Sequence, residues 1–348
     1  MKSANRAIQK VTLVTDAWHP QVNGVVTTLK QLVNHLQADG IEVDVIEPND
    51  YPNVPLPTYK EIPWVWRAPD LAKRLLEFQP DAVHIATEGA LGWRARRLAR
   101  AFGWPFTTAF HTQYPQYIRA RVPIPEWFTY AVLRRFHQAA ERTFVPTQSM
   151  RDTLNQRGFH GLVPMTRGVD TMVFHPEADQ VSTYQPPRGL SSPYYLYVGR
   201  VAPEKNLPAF LDLNLPGQKV VVGDGPSLSR LAERYPEVYF TGARKGQQLA
   251  GLYAGAKAFV FPSLTDTFGV VNIEAIACGT PVAAFPVTGP KDIITPGLNG
   301  CLHTDLYQAV MQAQTLKTPA LAQTLGNFTW TQACRDFQKH LAVISPSA

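Results

Sequence analysis

The sequence predicts an α/β protein of two domains, each built around a doubly wound parallel sheet. Its 348 residues exceed one ordinary domain, which typically has about 100–200 residues. Short apolar runs typical of buried strands alternate with amphipathic runs typical of helices. Over residues 174–193 this alternation stops, and it begins again afterwards. The chain therefore holds two α/β series separated by a linker.

The first series covers residues 1–173. Its opening strand, Val11–Thr15, leads through a polar loop into a helix with apolar residues at a period close to 3.6, ended by Gly40. The further predicted strands are Ile41–Val45, Ala82–Ala86, Phe106–Phe110, Thr143–Pro146 and Leu162–Thr166, and the further helices are Leu91–Phe102, Glu126–Ala140 and Thr147–Arg157.

Residues 174–193 contain four prolines and no clear periodicity, which indicates an interdomain linker. The second series covers residues 194–328. Its predicted strands are Tyr194–Val198, Lys219–Val222, Val238–Thr241, Ala258–Phe261 and Pro281–Ala284, and its helices are Ser227–Tyr235, Gln247–Ala254, Val271–Ala277 and Asp305–Thr315. Residues 329–348 form a last amphipathic helix that can cross back to the first domain. Two sheets that bind ligands at their carboxyl ends imply one site in a cleft between the domains.

Composition favours a protein of the cytoplasm. The N-terminal residues are polar and basic, and no run reaches the roughly 18 apolar residues of a membrane span. The three cysteines lack the spacing of a disulfide framework or a zinc site. We therefore expect a cytoplasmic location, with peripheral association at the inner face of the membrane.

The net charge of +6 comes mostly from the first half of the chain. Leu91–Arg142 holds nine arginines and two acidic residues, and Trp93, Trp104 and Trp127 lie in the same region. This stretch is either a solvated basic face or a surface for anionic lipid headgroups or an anionic acceptor. No nucleic-acid-binding module is recognisable.

The segment after strand Tyr194–Val198 suits a diphosphate. Gly199 permits a tight exit from the strand, and Arg200 and Lys205 then stand near the start of the next helix. Fixed cations and free helix amides bind phosphate groups well. An exposed loop with two solvated cations is the alternative interpretation.

The segment after strand Ala258–Phe261 suits a sugar and a ribose. Asp266 and Glu274 are eight positions apart, across a loop and the first turns of a helix, and carboxylates accept hydrogen bonds from neighbouring hydroxyl groups. The backbone amides between them face the same ligand. A surface acid with a structural hydrogen bond is the alternative. The donor-binding candidates here are Asp266, Phe268, Gly269, Val270 and Glu274.

Three further candidates follow strands. Gly223 lies in a tight strand-to-helix turn that lacks the dinucleotide fingerprint. His111 stands just past a strand of the first domain, where a structural histidine is the alternative. Gly24, at a helix start, lets a substrate approach the backbone, although an ordinary turn has the same pattern.

Taken together, these segments resemble the retaining glycosyltransferases of family 4 (GT4), which have the GT-B fold. The resemblance covers nearly the whole chain and is strongest to a bacterial mannosyltransferase and glycolipid-synthase subgroup. Its motifs are TDAWHPQVNGVV, RGVDTMVFHP, GRVAPEKN and FPSLTDTFGVVNIEAIACGTPVAA, in that order.

The resemblance implies roles for the candidates. Arg200 and Lys205 neutralise the donor diphosphate, Glu274 holds the nucleotide ribose, and Asp266 holds hydroxyls of the sugar with the amides of Phe268–Val270. Catalytic roles are thus implied for Arg200, Lys205 and Asp266.

In the first domain, the resemblance implies that Gly24 admits the phosphate or sugar. It also implies that the main-chain carbonyl of His111 stabilises positive charge on the reacting sugar. The sequence departs from the family pattern at Asp266, where glutamate is more common, and at Arg167, where asparagine is usual.

The implied reaction is transfer of a hexose with retention, forming an α-glycosidic bond, from a GDP-mannose, UDP-glucose or UDP-glucuronate type of donor. The expected acceptor is a membrane lipid or a lipid-linked glycan. No cofactor or metal is expected, because no Asp-x-Asp pair is present and two cations face the leaving group. The alternatives are a nucleotide-sugar epimerase, a glycan phosphorylase and a non-catalytic sugar-nucleotide-binding protein.

Overall fold

A computed structural model describes residues 8–21, 23–56, 59–111, 124–316 and 322–345. Contacts between residues divide the chain into two compact units. The first unit consists of residues 1–166 and 330–348, and the second consists of residues 167–329. Residues 167–173 therefore pack with the second unit, and the C-terminal helix packs with the first.

The described residues of each unit form a six-stranded parallel sheet. The strands are β1 (Lys10–Val14), β2 (Glu42–Ile46), β3 (Asn53–Leu56), β4 (Tyr59–Val65), β5 (Ala82–Ile85), β6 (Phe106–Ala109), β7 (Arg142–Val145), β8 (Leu162–Pro164), β9 (Tyr194–Val198), β10 (Gln218–Val222), β11 (Tyr239–Gly242), β12 (Ala258–Phe261), β13 (Val282–Ala284) and β14 (Gly300–Leu302). The strand order is β2-β1-β5-β6-β7-β8 in the first sheet and β11-β10-β9-β12-β13-β14 in the second. Both are doubly wound orders, which confirms the predicted fold class.

Helices connect these strands. They are α1 (Gly24–Ala38), α2 (Leu71–Phe78), α3 (Ala90–Ala101), α4 (Glu126–His137), α5 (Gln148–Gln156), α6 (Pro208–Leu211), α7 (Leu228–Arg234), α8 (Gly246–Ala254), α9 (Val270–Ala277), α10 (Pro290–Ile293), α11 (Leu306–Ala313) and α12 (Trp330–His340). Asn23 caps α1 by accepting hydrogen bonds from the amides of Val25 and Val26. Beyond α1, Gly40 has φ 82°, a left-handed conformation suited to glycine.

The first unit adds an antiparallel hairpin, β3–β4, that the sequence analysis did not predict. Arg94 of α3 holds its end, because the guanidinium group donates to the backbone carbonyls of Val65 and Trp66 at 2.6 Å each. Val54 and Trp64 pair across the hairpin and are both exposed, so the hairpin presents one apolar side to solvent.

The last helix contributes to the core of the first unit. Phe337 of α12 is fully buried, stacks on Phe144 at 5.1 Å between ring centroids, and meets the His84 ring edge-on. Apolar residues of β1 and α1 belong to the same cluster. The burial of these side chains explains why α12 folds with the sheet that lies far from it in sequence.

The segment over residues 174–193, expected to be a linker, packs on the second unit. Ala178 is fully buried in the core, and its carbonyl accepts a hydrogen bond from Gln247 of α8. Tyr184 lies against α8 where Gly251 has no side chain, since a Cβ there would stand 2.3 Å from the tyrosine ring. This segment thus covers part of α8.

The tryptophans of the basic stretch do not share one environment. Trp93 and Trp104 pack against a buried cluster of the first unit, and Trp93 meets Phe136 edge-on at 5.1 Å. Trp127 is 71 % exposed. Trp93 and Trp104 are therefore half-buried against this cluster, and Trp127 is the largely exposed tryptophan of the three.

Candidate active site

The two segments assigned to the donor leave neighbouring strands of the second sheet. Strands β9 and β12 are paired, with Tyr195 opposite Ala258 and Leu196 opposite Phe259. The strand order reverses between them, and open α/β sheets bind ligands at the carboxyl ends of strands at such a point. We name the segments that follow the β9 loop (residues 199–206) and the β12 loop (residues 262–269).

Side chains join the two loops directly. Lys205 of the β9 loop donates from its Nζ to Oδ1 of Asp266 in the β12 loop at 2.5 Å. Asn206 donates from its Nδ2 to the carbonyl oxygen of Pro262 at 3.1 Å. Asn206 has φ 54°, a left-handed conformation that asparagine tolerates better than most residues. The structure thus brings a cation and a carboxylate of the predicted site together and fixes the loops around them.

Several polar groups beside this ion pair lack a partner. Among the described residues of the second unit, the buried side-chain polar atoms without a hydrogen bond belong to Ser263, Asp266 and Asn272. All three lie within residues 263–272, which cover most of the β12 loop and the start of α9. Each such atom costs about 1–3 kcal/mol when nothing satisfies it. Their concentration at the carboxyl end of β12 indicates a place for a polar ligand.

The start of α9 offers backbone amides to an anion. Its N-cap, Gly269, has φ 82° and no side chain that could occupy those amides. A Cβ at Gly269 would approach Asn272 Nδ2 to 2.6 Å and the Phe261 ring to 2.9 Å, so only glycine fits. Phe268 anchors the loop, because its buried ring meets Phe328 edge-on. Val270 begins the helix.

The strand order of the first sheet also reverses, between β1 and β5. There, however, a side-chain carboxylate of the protein binds the backbone amides that a ligand could use. Asp16 accepts hydrogen bonds from the amides of Leu91 and Gly92, at 2.8 and 3.2 Å, and from Thr87 Oγ1 at 2.9 Å. Burial raises the pKa of Asp16, and these hydrogen bonds oppose the rise. The start of α3 is therefore occupied by the protein itself, unlike the start of α9.

Glu274 lies on α9 against a buried tyrosine of α8. Tyr253 donates from its hydroxyl group to Glu274 Oε2 at 3.0 Å. Removal of the carboxyl group from water raises the pKa of Glu274 to about 7, and the Tyr253 hydrogen bond opposes this rise. A carboxyl group with a pKa near neutrality, two residues from the unpartnered side chain of Asn272, is a candidate for ligand binding.

Glycines bring the β9 loop against the turn after β10. Gly199 has φ 151° and donates its amide to the carbonyl of Val222 at 3.0 Å. Gly223 has φ 145°, and a Cβ there would stand 1.9 Å from the carbonyl oxygen of Gly199. Behind them, the Tyr197 hydroxyl donates to the carbonyl of Arg200 at 2.9 Å. Gly223 therefore fixes the backbone that carries Arg200.

Arg200 extends from this fixed turn with part of its side chain exposed. Its Nη1 lies 3.7 Å from Glu204 Oε1, one helical turn later in the same loop. The Arg200 side chain is one-third exposed and the Glu204 side chain is largely buried, so the guanidinium group meets solvent beside a buried carboxylate.

Comparison with known proteins identifies the family to which this chain belongs. Residues 22–173 match the model described as Glycosyltransferase Family 4, and residues 192–316 match that of Glycosyl transferases group 1. A GDP-mannose-dependent alpha-mannosyltransferase of Mycobacterium tuberculosis is 32 % identical over 84 % of this chain and 83 % of its own length. The chain belongs to glycosyltransferase family 4.

Two further proteins resemble this chain, the first in sequence and the second in fold. An alpha-monoglucosyldiacylglycerol synthase of Streptococcus pneumoniae is 27 % identical over 95 % of this chain and 84 % of its own length. The structure of sucrose-phosphate synthase from Thermosynechococcus elongatus has a TM-score of 0.76 at 21 % identity, covering 95 % of this chain and 98 % of that chain. This protein is therefore an enzyme that transfers a sugar from a nucleotide sugar.

Two predicted residues of this glycosyltransferase lie in the first unit. Gly24 is the first residue of α1, and a Cβ there would meet no atom within 4 Å. The next two amides of that helix bind the Asn23 side chain. His111 is buried just after β6. Both stand at the carboxyl edge of the first sheet, and their contact with the donor stays a prediction.

Four polar residues of the second unit were not among the predicted site residues of this family 4 enzyme. Asn206 and Ser263 lie within the quoted motifs, and their polarity in segments that follow strands was a signal that could have found them. Asn272 lies within the acidic motif, on the apolar helix. Tyr253 gave no signal, since its apolar neighbours on α8 make it an ordinary core residue by sequence.

Asn206 of this glycosyltransferase offers a test of how the two loops are held. The Asn206→Gly enzyme keeps the left-handed backbone and loses the hydrogen bond to Pro262, so kcat/KM is expected to fall about tenfold with little change in Tm. Asn206→Ala loses both features, so Tm is expected to fall as well. Steady-state kinetics and thermal unfolding measure the two effects. Gln79→Ala, at φ 51° in the first unit, is the control for backbone strain alone. Equal kcat/KM in the Gly variant and the wild type would show that the link does not matter.

Proposed function

We propose that this enzyme transfers a hexose with retention from a nucleotide sugar to a membrane lipid or lipid-linked glycan, forming an α-glycosidic bond. GDP-mannose is the leading donor, supported by the name of the Mycobacterium tuberculosis relative, and UDP-glucose and UDP-glucuronate are the alternatives. The observation that carries the proposal is the Lys205–Asp266 pair beside unpartnered buried polar atoms at the reversal point of the second sheet.

The chemistry follows from the charges of the two loops. Lys205 has three N–H donors, so it can keep Asp266 and still bind a phosphate oxygen of the leaving diphosphate. Arg200 neutralises the second phosphate group. Asp266 accepts hydrogen bonds from hydroxyls of the sugar through Oδ2, and Glu274 accepts them from the ribose. The backbone amides of Phe268, Gly269 and Val270 complete the polar surface around the sugar and the phosphates.

Retention is proposed to proceed on one face of the sugar. In this mechanism the bond from the anomeric carbon to the diphosphate breaks, and a leaving phosphate oxygen takes the proton of the attacking acceptor hydroxyl. The protein supplies position and charge, with the His111 carbonyl near the developing positive charge and Gly24 admitting the donor. No metal is required in this proposal, because Arg200 and Lys205 neutralise the leaving group.

The decisive experiment offers labelled nucleotide sugars to the protein together with isolated membranes. Label from one donor is expected in the lipid extract, its anomeric proton coupling is expected to show an α linkage, and EDTA is expected to leave the rate unchanged. A nucleotide sugar converted without any acceptor would indicate an epimerase. Donor binding without turnover on any acceptor would indicate a non-catalytic protein.

A membrane acceptor requires a surface that meets the bilayer. No helix among the described residues is both long and apolar enough to cross one. Helix α4 exposes Trp127, Phe128 and Val132, and its last turn carries Arg134 and Arg135. An exposed aromatic cluster on a basic helix suits binding in the plane of the headgroups. We therefore assign the membrane contact to α4.

This assignment is tested by sedimentation with vesicles that contain phosphatidylglycerol. Replacing Trp127 and Phe128 with serine is expected to weaken binding about tenfold at low salt, since two aromatic side chains no longer enter the interface. Met172→Ser removes an exposed apolar side chain from the second unit and serves as the control. If the wild-type protein stays in the supernatant at low salt, the proposed membrane contact is wrong.

A further inference from the structure

Tyr253 is a fully buried residue that the proposed chemistry leaves without a role. Its ring is fixed by edge-on contacts with Phe259 and Phe174, at 5.4 and 6.1 Å between centroids. The backbone carbonyl of Tyr253 accepts a hydrogen bond from Thr280 Oγ1 at 2.5 Å. The hydroxyl group therefore has one direction available, and it points to Glu274.

The side chains of Tyr253 and Glu274 differ in their exposure to solvent. Tyr253 has no exposed surface, whereas Glu274 is only partly buried. Glu274 thus keeps some contact with solvent, while its Oε2 accepts the hydrogen bond from Tyr253 at 3.0 Å. A carboxylate held through one oxygen keeps its remaining acceptor capacity for a pair of neighbouring hydroxyl groups.

We propose that Tyr253 is a positioning residue of the donor site, whose hydroxyl group aims Glu274 at the ribose and favours the ionised carboxylate that binds the nucleotide. The inference rests on the proposed role of Glu274 in holding the ribose. Hydroxyl groups donate to a carboxylate, so the ionised form binds the donor, and binding releases the carboxyl proton to the buffer.

The surroundings of Tyr253 and Glu274 determine the pH range over which Glu274 ionises. Burial raises the pKa of Glu274 to about 7, so its ionised fraction grows as the pH rises through neutrality. Burial also raises the pKa of Tyr253 far above its ordinary value, so the hydroxyl stays a donor throughout. The other ionisable groups around the pair are Cys278, one turn later on α9, and Tyr197 of β9. Burial raises the pKa of Cys278, which keeps this thiol neutral over the same range.

The test measures binding of GDP-mannose and of UDP-glucose without an acceptor. The diphosphates of these ligands have no proton to lose near neutral pH, so a proton released on binding comes from the protein. The wild-type affinity for the tighter ligand is expected to rise from about pH 6 to about pH 8. Calorimetry near pH 7 in two buffers of different ionisation enthalpy is expected to show proton release. Equal binding enthalpies in the two buffers would overturn the inference without any variant.

Tyr253→Phe removes the hydroxyl group and keeps the ring. Loss of a hydrogen bond that favours the ionised carboxyl is expected to move the binding profile up by about one pH unit, which weakens binding about fivefold near pH 7 and less than twofold near pH 8.5. The matched control is Tyr194→Phe. It removes an equally buried tyrosine hydroxyl, bonded to the Leu252 carbonyl at 2.8 Å, and is expected to leave the profile in place.

The Glu274→Gln variant distinguishes an error in the donor-site role of Glu274 from an error in the positioning role of Tyr253. Wild-type affinity in this variant would remove Glu274 from the donor site, and the proposed function would lose one of its residues. If Glu274→Gln loses binding and proton release while the Tyr253→Phe profile coincides with the wild type, the role of Tyr253 alone is wrong. Thermal unfolding of each variant confirms that it is folded before binding is measured.

Discussion

Replacing Lys205 with alanine is expected to lower kcat/KM about 100- to 1,000-fold, the usual effect of removing one group that stabilises developing charge. In the proposed reaction the diphosphate gains negative charge as the sugar leaves, and the Lys205 ammonium group is proposed to bind it. The same substitution leaves Asp266 partly buried without its cation, so Tm is expected to fall too. Single-turnover kinetics and thermal unfolding separate the two losses.

Two variants show which loss belongs to the chemistry. Combining Lys205→Ala with Asp266→Asn removes the uncompensated carboxylate, so Tm is expected to recover while transfer stays lost. Lys219→Ala serves as the matched control, because Lys219 is about as buried as Lys205, 13 % against 19 % exposed, and bonds the carbonyl of Leu213 at the opposite end of the sheet. Transfer within about threefold of wild type in Lys205→Ala would exclude Lys205 from the donor site.

The fold class was predictable because parallel strands buried on both faces form continuous apolar runs. All five residues of β9 are buried, and the sequence prediction has the same bounds. The missed elements lack such a run. Strand β14 has three residues, one of them glycine, and the β3–β4 hairpin has an exposed apolar side and prolines in both strands. Their pairing depends on neighbours that a local pattern does not contain.

The candidate site was predictable in part because its charged residues follow strands of apolar sequence. Lys205 and Asp266 were both selected, but their direct contact depends on β9 and β12 being neighbours in the sheet. The pattern on α8 likewise conceals Tyr253, because a tyrosine that fills the core and one that aims a carboxylate occupy the same helical position. The pKa of Glu274 belongs to this contact and to burial, so the sequence could not indicate it.

Gly223 matters both for the fold and for the candidate site, because it permits the conformation of the β9 loop and thereby the position of Arg200. An alanine there would carry its Cβ to within 1.9 Å of the Gly199 carbonyl oxygen, in a backbone conformation that alanine rarely adopts. The free energy of unfolding of the second unit is expected to fall by about 3 kcal/mol or more. In a unit of this size, Tm then falls by about 6–12 °C. Activity is expected to fall further than stability explains, because relief of the contact displaces the loop with its two cations.

Gly242→Ala provides the comparison for that result. Gly242 also has a positive φ, 71°, but no atom lies within 4 Å of the position of its Cβ. In Gly242→Ala the free energy of unfolding is therefore expected to fall by the conformational cost alone, about 1–2 kcal/mol. Calorimetric unfolding and kcat/KM measured on both variants distinguish strain from steric contact. If Gly223→Ala unfolds within about 2 °C of wild type and keeps its activity, the close approach of the two turns does not support the donor site.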